Sequence, residues 1–138
     1  MKFKQKGERE ISTEEIKSLE LKYNIVLPED YREGMLKMNG YYASEELFFN
    51  SNVFDDEIEF FSIFPIKYGT MVFENLNGIN DLNNYPEGHV IIGRSRTGNF
   101  SMSLSSKDYG SIHVFYSDGE IHKLADSFTE FLEGLEEL

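Results

Sequence analysis

Apolar and polar residues alternate most regularly in the segment 89–124. Between residues 100 and 105, a period of two places apolar side chains on one face of a strand and hydroxyl groups on the other: Phe100, Met102 and Leu104 against Ser101, Ser103 and Ser105. Residues 90–92 and 112–116 predict further strands on either side. Asp118-Gly119 favours a tight hairpin turn before a fourth strand at residues 121–124. The segment therefore predicts a four-stranded meander.

The N-terminal part of the chain has helical signals instead. Ser12 followed by Glu15 is typical of a capping box and predicts a helix that begins there and runs to about Tyr23. Pro28 is tolerated at the first position of a helix and predicts the start of a second one. Asn39-Gly40 supplies the left-handed stop for that helix.

The C-terminal part repeats the capping-box pattern with Ser127 and Glu130. It predicts a terminal helix that packs one apolar face on the sheet, with the residues Phe128, Phe131, Leu132, Leu135 and Leu138.

Two edge-side strands are predicted in the middle of the chain, at residues 47–49 and 58–66, where aromatic and β-branched residues are frequent. Pro65 cannot donate to a strand ladder, so it indicates an edge or an end of the second strand. A weaker periodicity over residues 71–82 predicts a third helix, and residues 85–88 predict a turn.

These elements predict an α+β fold, with an N-terminal helix pair, a central mostly antiparallel sheet of about five to six strands and a C-terminal helix packed on the sheet. The 138 residues suit one domain, 1–138, with 1–10 as a flexible or edge segment. The 12 Phe and 8 Tyr provide a core and exclude a disordered chain.

The chain has no Cys, which excludes disulfides, thiolate metal sites and a thiol nucleophile. The basic start at residues 1–6 is followed by polar residues rather than the apolar run of a signal peptide. No apolar run approaches the ~20 residues of a membrane-spanning helix. These features predict a cytoplasmic protein.

The formal net charge is −12. A field of this sign repels phosphate backbones and anionic lipids, which disfavours direct binding to nucleic acid or to a membrane. It attracts basic proteins and speeds their encounter. An acidic balance is also common among soluble proteins that have no such partner.

Three sequence blocks occur in order along the chain: Leu27-Pro28-Glu29-Asp30-Tyr31 with Asn39-Gly40, then Ile91-Ile92-Gly93 with Gly98-Asn99, then Ala125-Asp126-Ser127-Phe128-Thr129-Glu130-Phe131-Leu132. Together they resemble the SUKH superfamily, which includes fungal cell-wall-assembly regulators and bacterial immunity proteins that neutralise polymorphic toxins. One departure is Tyr41, which follows Gly40 where many relatives have a second Gly.

The resemblance implies a non-catalytic binding protein, not an enzyme, that uses no cofactor. The favoured hypothesis is an immunity protein, a monomer or weak homodimer, that binds a cognate protein toxin, a basic nuclease domain. The alternative is a regulatory or scaffolding module of the fungal-regulator type that binds an endogenous protein.

The candidate partner-binding residues lie between Lys37 and Lys67, a stretch that contains no other Lys or Arg. They are Glu45, Glu46, Asp55, Asp56, Glu57 and Glu59. Aromatic and apolar residues are interleaved with them, so the segment predicts apolar anchors with a charged rim. The alternative is that the aromatic residues belong to the core and the acids to a solvated face. The acids lack the spacing of a calcium-binding EF-hand.

Other chemical motifs are weaker. Residues 93–98 have the glycine spacing of a phosphate loop, but Asn99-Phe100 replaces its Lys and Ser or Thr, so a hairpin loop is predicted. Arg94 and Arg96 in that loop leave open a small anion or an acidic partner.

Histidine and serine side chains provide the remaining candidates for chemistry. His89, His113 and His122 lack metal-ligand spacing. His113 and His122 lie on the two arms of one predicted hairpin, where they can approach each other, but the sequence places no third ligand beside them. No metal site is predicted. The serines of residues 101–105 have no nucleophile elbow or identifiable base, so a solvated strand face is predicted for them.

Overall fold

The computed structural model describes residues 8–50, 57–77 and 87–137, apart from the side chains of Ser44, Glu45, Asn75 and Glu137. Helices and strands in the described part follow the order α1 (Thr13–Tyr23), α2 (Glu29–Lys37), β1 (Tyr41–Asn50), β2 (Glu57–Ile63), α3 (Phe73–Asn77), β3 (His89–Ser95), β4 (Gly98–Ser103), β5 (Ile112–Tyr116), β6 (Ile121–Ala125), α4 (Phe128–Glu133) and β7 (Leu135–Glu137).

The strands form one antiparallel sheet in the order β6-β5-β4-β3-β2-β1-β7. This confirms the α+β class and the meander of β3 to β6. The helices and one face of the sheet enclose the core. Phe131 of α4 lies at its centre, against the rings of Phe49, Phe60 and Phe100. Tyr31 of α2 packs edge-on against Phe128 of α4, so the N-terminal and C-terminal helices contact each other over the sheet.

The predicted start and end of the first helix are confirmed. Ser12 is the N-cap of α1, its hydroxyl accepts from the Glu15 amide, and the Glu15 carboxylate accepts from the Ser12 amide. Asn24 ends the helix in the left-handed conformation, with φ 54°. Local sequence therefore determines both ends of α1.

Two details of the second helix were predicted wrongly. Pro28 is the N-cap of α2 rather than its first residue, and the helix ends at Lys37, before Asn39-Gly40. Asn39 instead lies buried, where its side chain bonds to the backbones of Arg9, Ile66 and Lys67. The Asn-Gly pair thus joins distant segments of the chain.

The predicted sheet of five to six strands was too small. α4 ends at Glu133, and Leu135, which was predicted to be helical, lies in β7 beside β1. The predicted edge-side strands are therefore interior, because β7 covers β1 and β3 covers β2. β7 satisfies backbone groups of β1 that an edge would leave unpaired. Leu138 lies outside the described residues.

The region between β2 and β3 agrees with its prediction only in part. Pro65 follows the end of β2, as expected. α3 covers only Phe73–Asn77 of the predicted third helix, and residues 78–86 lie outside the described part. Asn77 bonds to both backbone groups of Ile91 and so anchors α3 to β3. In the ranges 8–50, 57–77 and 87–137, no helix has the length and apolar character needed to cross a membrane.

Glu15 also connects α1 to the segment after β2. Its carboxylate accepts from the Tyr68 hydroxyl and forms an ion pair with Lys67. The Tyr68 hydrogen bond, followed by the Ser12 amide, lowers the pKa of Glu15 from its usual 4.5 to about 2. A carboxyl group with a lowered pKa stabilises the fold above the pKa of the unfolded state, and this stabilisation is lost as pH falls toward the folded pKa.

We expect the urea midpoint of the parent protein to fall more steeply than that of Glu15→Gln between pH 4.5 and about 2, because glutamine keeps the cap but cannot be protonated there. Urea unfolding at a series of pH values measures both. Glu14→Gln, an exposed neighbour in the same helical turn, is the control and should follow the parent. Parallel curves for the parent and Glu15→Gln would contradict the assignment.

Candidate functional site

The described candidate acids lie on the face of the sheet opposite the helices, in β1 and β2. The register places Phe48 between Glu59 of β2 and Glu136 of β7. Alternation along the strands adds further residues to this face. We call the set the acidic hairpin face: Glu46, Phe48, Glu57, Glu59, Phe61 and Glu136.

The apolar residues of this segment divide between the core and the surface. Leu47, Phe49 and Phe60 are buried in the core. Phe48 is half-buried, and Phe61 is 39% exposed on the acidic hairpin face. The period of two thus separates the core residues of these strands from the partly exposed rings of Phe48 and Phe61.

Charge on this face is only partly neutralised. Arg96 approaches Glu59 with 3.2 Å between Nε and Oε2, so Glu59 is not the unpaired acid that the local sequence suggested. Glu46, Glu57 and Glu136 are exposed and, within the described residues, form no ion pair. Asp55 and Asp56 lie outside the described residues, as does the side chain of Glu45.

The glycine loop at residues 93–98 is a tight hairpin between β3 and β4, as predicted. The Ser95 hydroxyl bonds to both backbone groups of Gly98 and closes the turn. The two glycines permit close approach of strands: a Cβ at Gly93 would lie 2.5 Å from the Ser62 carbonyl oxygen, and one at Gly98 equally close to that of Phe115. Their spacing therefore reflects sheet packing.

A second group of polar side chains lies on the same face of the sheet, at β3, β4 and β5. His89 and His113 face each other with ring centroids 4.7 Å apart. Asp108, in the loop between β4 and β5, places Oδ2 3.8 Å from Nε2 of His113. We call these three residues the His-Asp cluster.

The predicted approach of His113 to His122 is wrong. His113 pairs with Lys123 across β5 and β6, whereas His122 pairs with Val114 and so lies on the opposite face. The imidazole that does approach His113 is His89, two strands away.

The prediction of a solvated serine face is also wrong for two of its three residues. Ser101 and Ser103 are fully buried. The Ser101 hydroxyl lies 2.9 Å from Nδ1 of His89, and the Ser103 hydroxyl donates to Oδ1 of Asp108 at 2.6 Å. These serines therefore position the His-Asp cluster.

Burial determines the charge of the cluster. It lowers the pKa of His89 and of His113, and charge repulsion from His89 lowers the pKa of His113 further. The negative charge of Asp108 acts in the opposite direction and partly offsets the lowering of both pKa values. The Ser103 hydrogen bond holds the pKa of Asp108 below its usual range. At neutral pH the cluster is thus two neutral imidazoles beside one carboxylate.

Sequence reasoning found the histidines but missed Asp108, because its approach depends on the path of the loop at residues 104–111. One weak indication of the cluster was present in the sequence. The alternating serines share a strand face with His113 once β4 and β5 are paired.

Comparison with known proteins places the chain in a family. Residues 10–134 match the model of the SMI1 / KNR4 family (SUKH-1). The chain is also similar to the uncharacterized protein YnaB of Bacillus subtilis (strain 168), with 28% identity over 107 residues. That alignment covers 78% of this chain and 60% of YnaB. Proteins of the SUKH family are protein-binding modules. On the strength of a match over nearly its whole length, the chain belongs to the SMI1 / KNR4 family (SUKH-1).

Proposed function

We propose that this protein is a non-catalytic immunity protein that binds a cognate toxin, a basic nuclease domain, through the acidic hairpin face. The observation that carries the proposal is the combination of exposed acids with two partly exposed aromatic rings on one face of β1, β2 and β7.

Electrostatics supports a basic partner. The chain carries a net charge of −12, and Glu46, Glu57 and Glu136 on this face are exposed to solvent. Charge complementarity accelerates encounter between proteins and fixes their relative orientation. A nuclease domain that binds a phosphate backbone presents positive charge at its active site, so an acidic surface that docks there competes with the nucleic acid.

Phe48 and Phe61 supply the apolar part of the interface. Protein interfaces commonly place a few aromatic side chains at the centre and charged residues at the rim. Phe48 lies between Glu59 and Glu136, so an aromatic ring occupies the middle of an acidic row. Inhibition then requires only that the bound protein covers the active site of the toxin.

Charge reversal on this face tests the proposal. We expect Glu46→Lys/Glu57→Lys/Glu136→Lys to reduce the association rate with the toxin encoded beside this gene by about tenfold or more. The control reverses three exposed acids elsewhere, Glu10→Lys/Glu33→Lys/Glu133→Lys. Both variants have the same net charge. A larger loss of association rate for the first variant than for the control therefore measures the contribution of the acidic hairpin face.

Calorimetry and stopped-flow mixing measure this binding, and coexpression measures rescue of growth from the toxin. Binding of the parent should weaken as salt rises. Equal losses for the two charge-reversal variants would contradict the assignment of the face. Failure of the parent to bind any toxin encoded beside it, together with specific binding of an endogenous protein, would instead support the regulatory alternative.

A further inference from the structure

The His-Asp cluster combines three metal-ligating side chains from separate elements. His89 comes from β3, Asp108 from the loop after β4 and His113 from β5, and one ligand atom of each lies within 4.8 Å of the other two. The contact between Nε2 of His113 and Oδ2 of Asp108, at 3.8 Å, is too long for a hydrogen bond. The three side chains therefore point toward one another, but the contact between His113 and Asp108 is not a hydrogen bond.

One residue of the His-Asp cluster is buried and the other two are half-buried. His113 is 8% exposed, so its ring is held within the sheet. His89 and Asp108 are half-buried, so the cluster has one side open to solvent. The nitrogen of His113 that faces Asp108 is Nε2, and the distance between them is too long for a hydrogen bond, so Nε2 is the atom available to a ligand.

Residues behind the cluster orient two of its members. Ser101 bonds to Nδ1 of His89, which leaves Nε2 of that ring available, and Ser103 holds one oxygen of Asp108 while the other faces His113. Metal sites use the same arrangement, in which each ligand is held in orientation by a hydrogen bond to its other polar atom.

We propose that His89, Asp108 and His113 bind one Zn²⁺ ion, with water in the remaining coordination position. Two imidazoles and one carboxylate form a donor set that zinc accepts, whereas calcium and magnesium prefer oxygen ligands alone. Ligand atoms around tetrahedral zinc are separated by roughly 3.3 Å. The observed separations therefore require only a small closure of the half-exposed side chains. The ion joins the loop at residues 104–111 to β3 and β5.

Zinc titration of the chelator-treated, tag-free full chain tests this site. We expect calorimetry to give one Zn²⁺ per chain, and a melting temperature that rises with added Zn²⁺. Asp108→Asn, which can still accept from Ser103, and His89→Gln should each weaken binding by about tenfold or more and lose the rise in melting temperature. Both residues are half-exposed, so these variants should fold even if His113→Gln does not.

His122→Gln is the matched control, because His122 lies 3.3 Å from Glu120 in a histidine–carboxylate pair outside the cluster. It should bind Zn²⁺ as the parent does. Visible absorption of the Co²⁺-loaded protein should report nitrogen and oxygen ligands in the parent and in His122→Gln, and should be lost in Asp108→Asn. Absence of stoichiometric Zn²⁺ binding, or binding that persists in both cluster variants, would overturn the proposal.

Discussion

Replacement of Phe131 by alanine should lower the free energy of unfolding by about 3–5 kcal/mol. The Phe131 side chain is fully buried in α4, and its ring centroid lies 4.9 Å from that of Phe100, 5.3 Å from Phe49 and 6.1 Å from Phe60. Its contacts reach three strands of the sheet. Truncation leaves a cavity that these rings cannot fill without moving the strands that carry them. Denaturant unfolding followed by circular dichroism measures the loss.

Phe61→Ala is the matched control for this measurement. Phe61 is 39% exposed on the acidic hairpin face, so its truncation should cost about 1 kcal/mol or less. Phe131→Leu, which retains much of the buried volume, should fall between the two variants. A loss for Phe131→Ala no larger than that for Phe61→Ala would show that the core is not organised around this ring.

Asn39→Ala should lower the free energy of unfolding by about 3 kcal/mol, a large effect for a polar residue. Nδ2 of Asn39 donates to the carbonyl oxygens of Arg9, at 2.9 Å, and Lys67, at 2.6 Å, while Oδ1 accepts from the amide of Ile66 at 2.8 Å. Alanine leaves these three backbone groups without their partner, and each group left unpaired in the interior costs about 1–3 kcal/mol. The same unfolding experiment measures the effect.

Asn50→Ala, at an exposed position of β1, is the control and should change stability by about 0.5 kcal/mol or less. Asn39→Asp separates the two halves of the network, because the carboxylate still accepts from Ile66 but cannot donate to the two carbonyl groups. We expect it to be at least as destabilising as Asn39→Ala. A stable Asn39→Asp variant would contradict the assigned orientation of the amide.

The Asn39-Gly40 pair illustrates how a motif can be found for the wrong reason. The sequence predicted a helix stop, since Asn and Gly both tolerate the left-handed conformation. Gly40 does have a positive φ, 95°, but the helix has already ended at Lys37. The pair belongs to one of the three sequence blocks that resemble the SUKH superfamily. Its structural role is the set of hydrogen bonds by which the Asn39 side chain connects distant segments of the backbone. The backbone preferences of Asn39 and its neighbours in the sequence do not predict these long-range hydrogen bonds.

The acidic hairpin face was only partly predictable. The absence of other Lys and Arg between Lys37 and Lys67 placed Glu46, Glu57 and Glu59 among the candidates, and alternation along the observed strands puts these three on one face. Two contributions come from distant parts of the chain. Glu136 reaches the face through the pairing of β7 with β1, and Arg96 reaches Glu59 through the pairing of β2 with β3. Neither pairing is signalled in the segment between Lys37 and Lys67.

By itself, the sequence determined the elements whose causes are local: the capping box of Ser12 and Glu15, the end of α1 near Tyr23, and the period of two in the meander. Tertiary structure alone decided that Leu135 leaves the last helix for a seventh strand and that Asp108 meets His89 and His113. The physical reason is range. Caps and periodicity depend on residues a few positions apart, whereas the strand edge that recruits Leu135 and the loop path that carries Asp108 exist only after the sheet has formed.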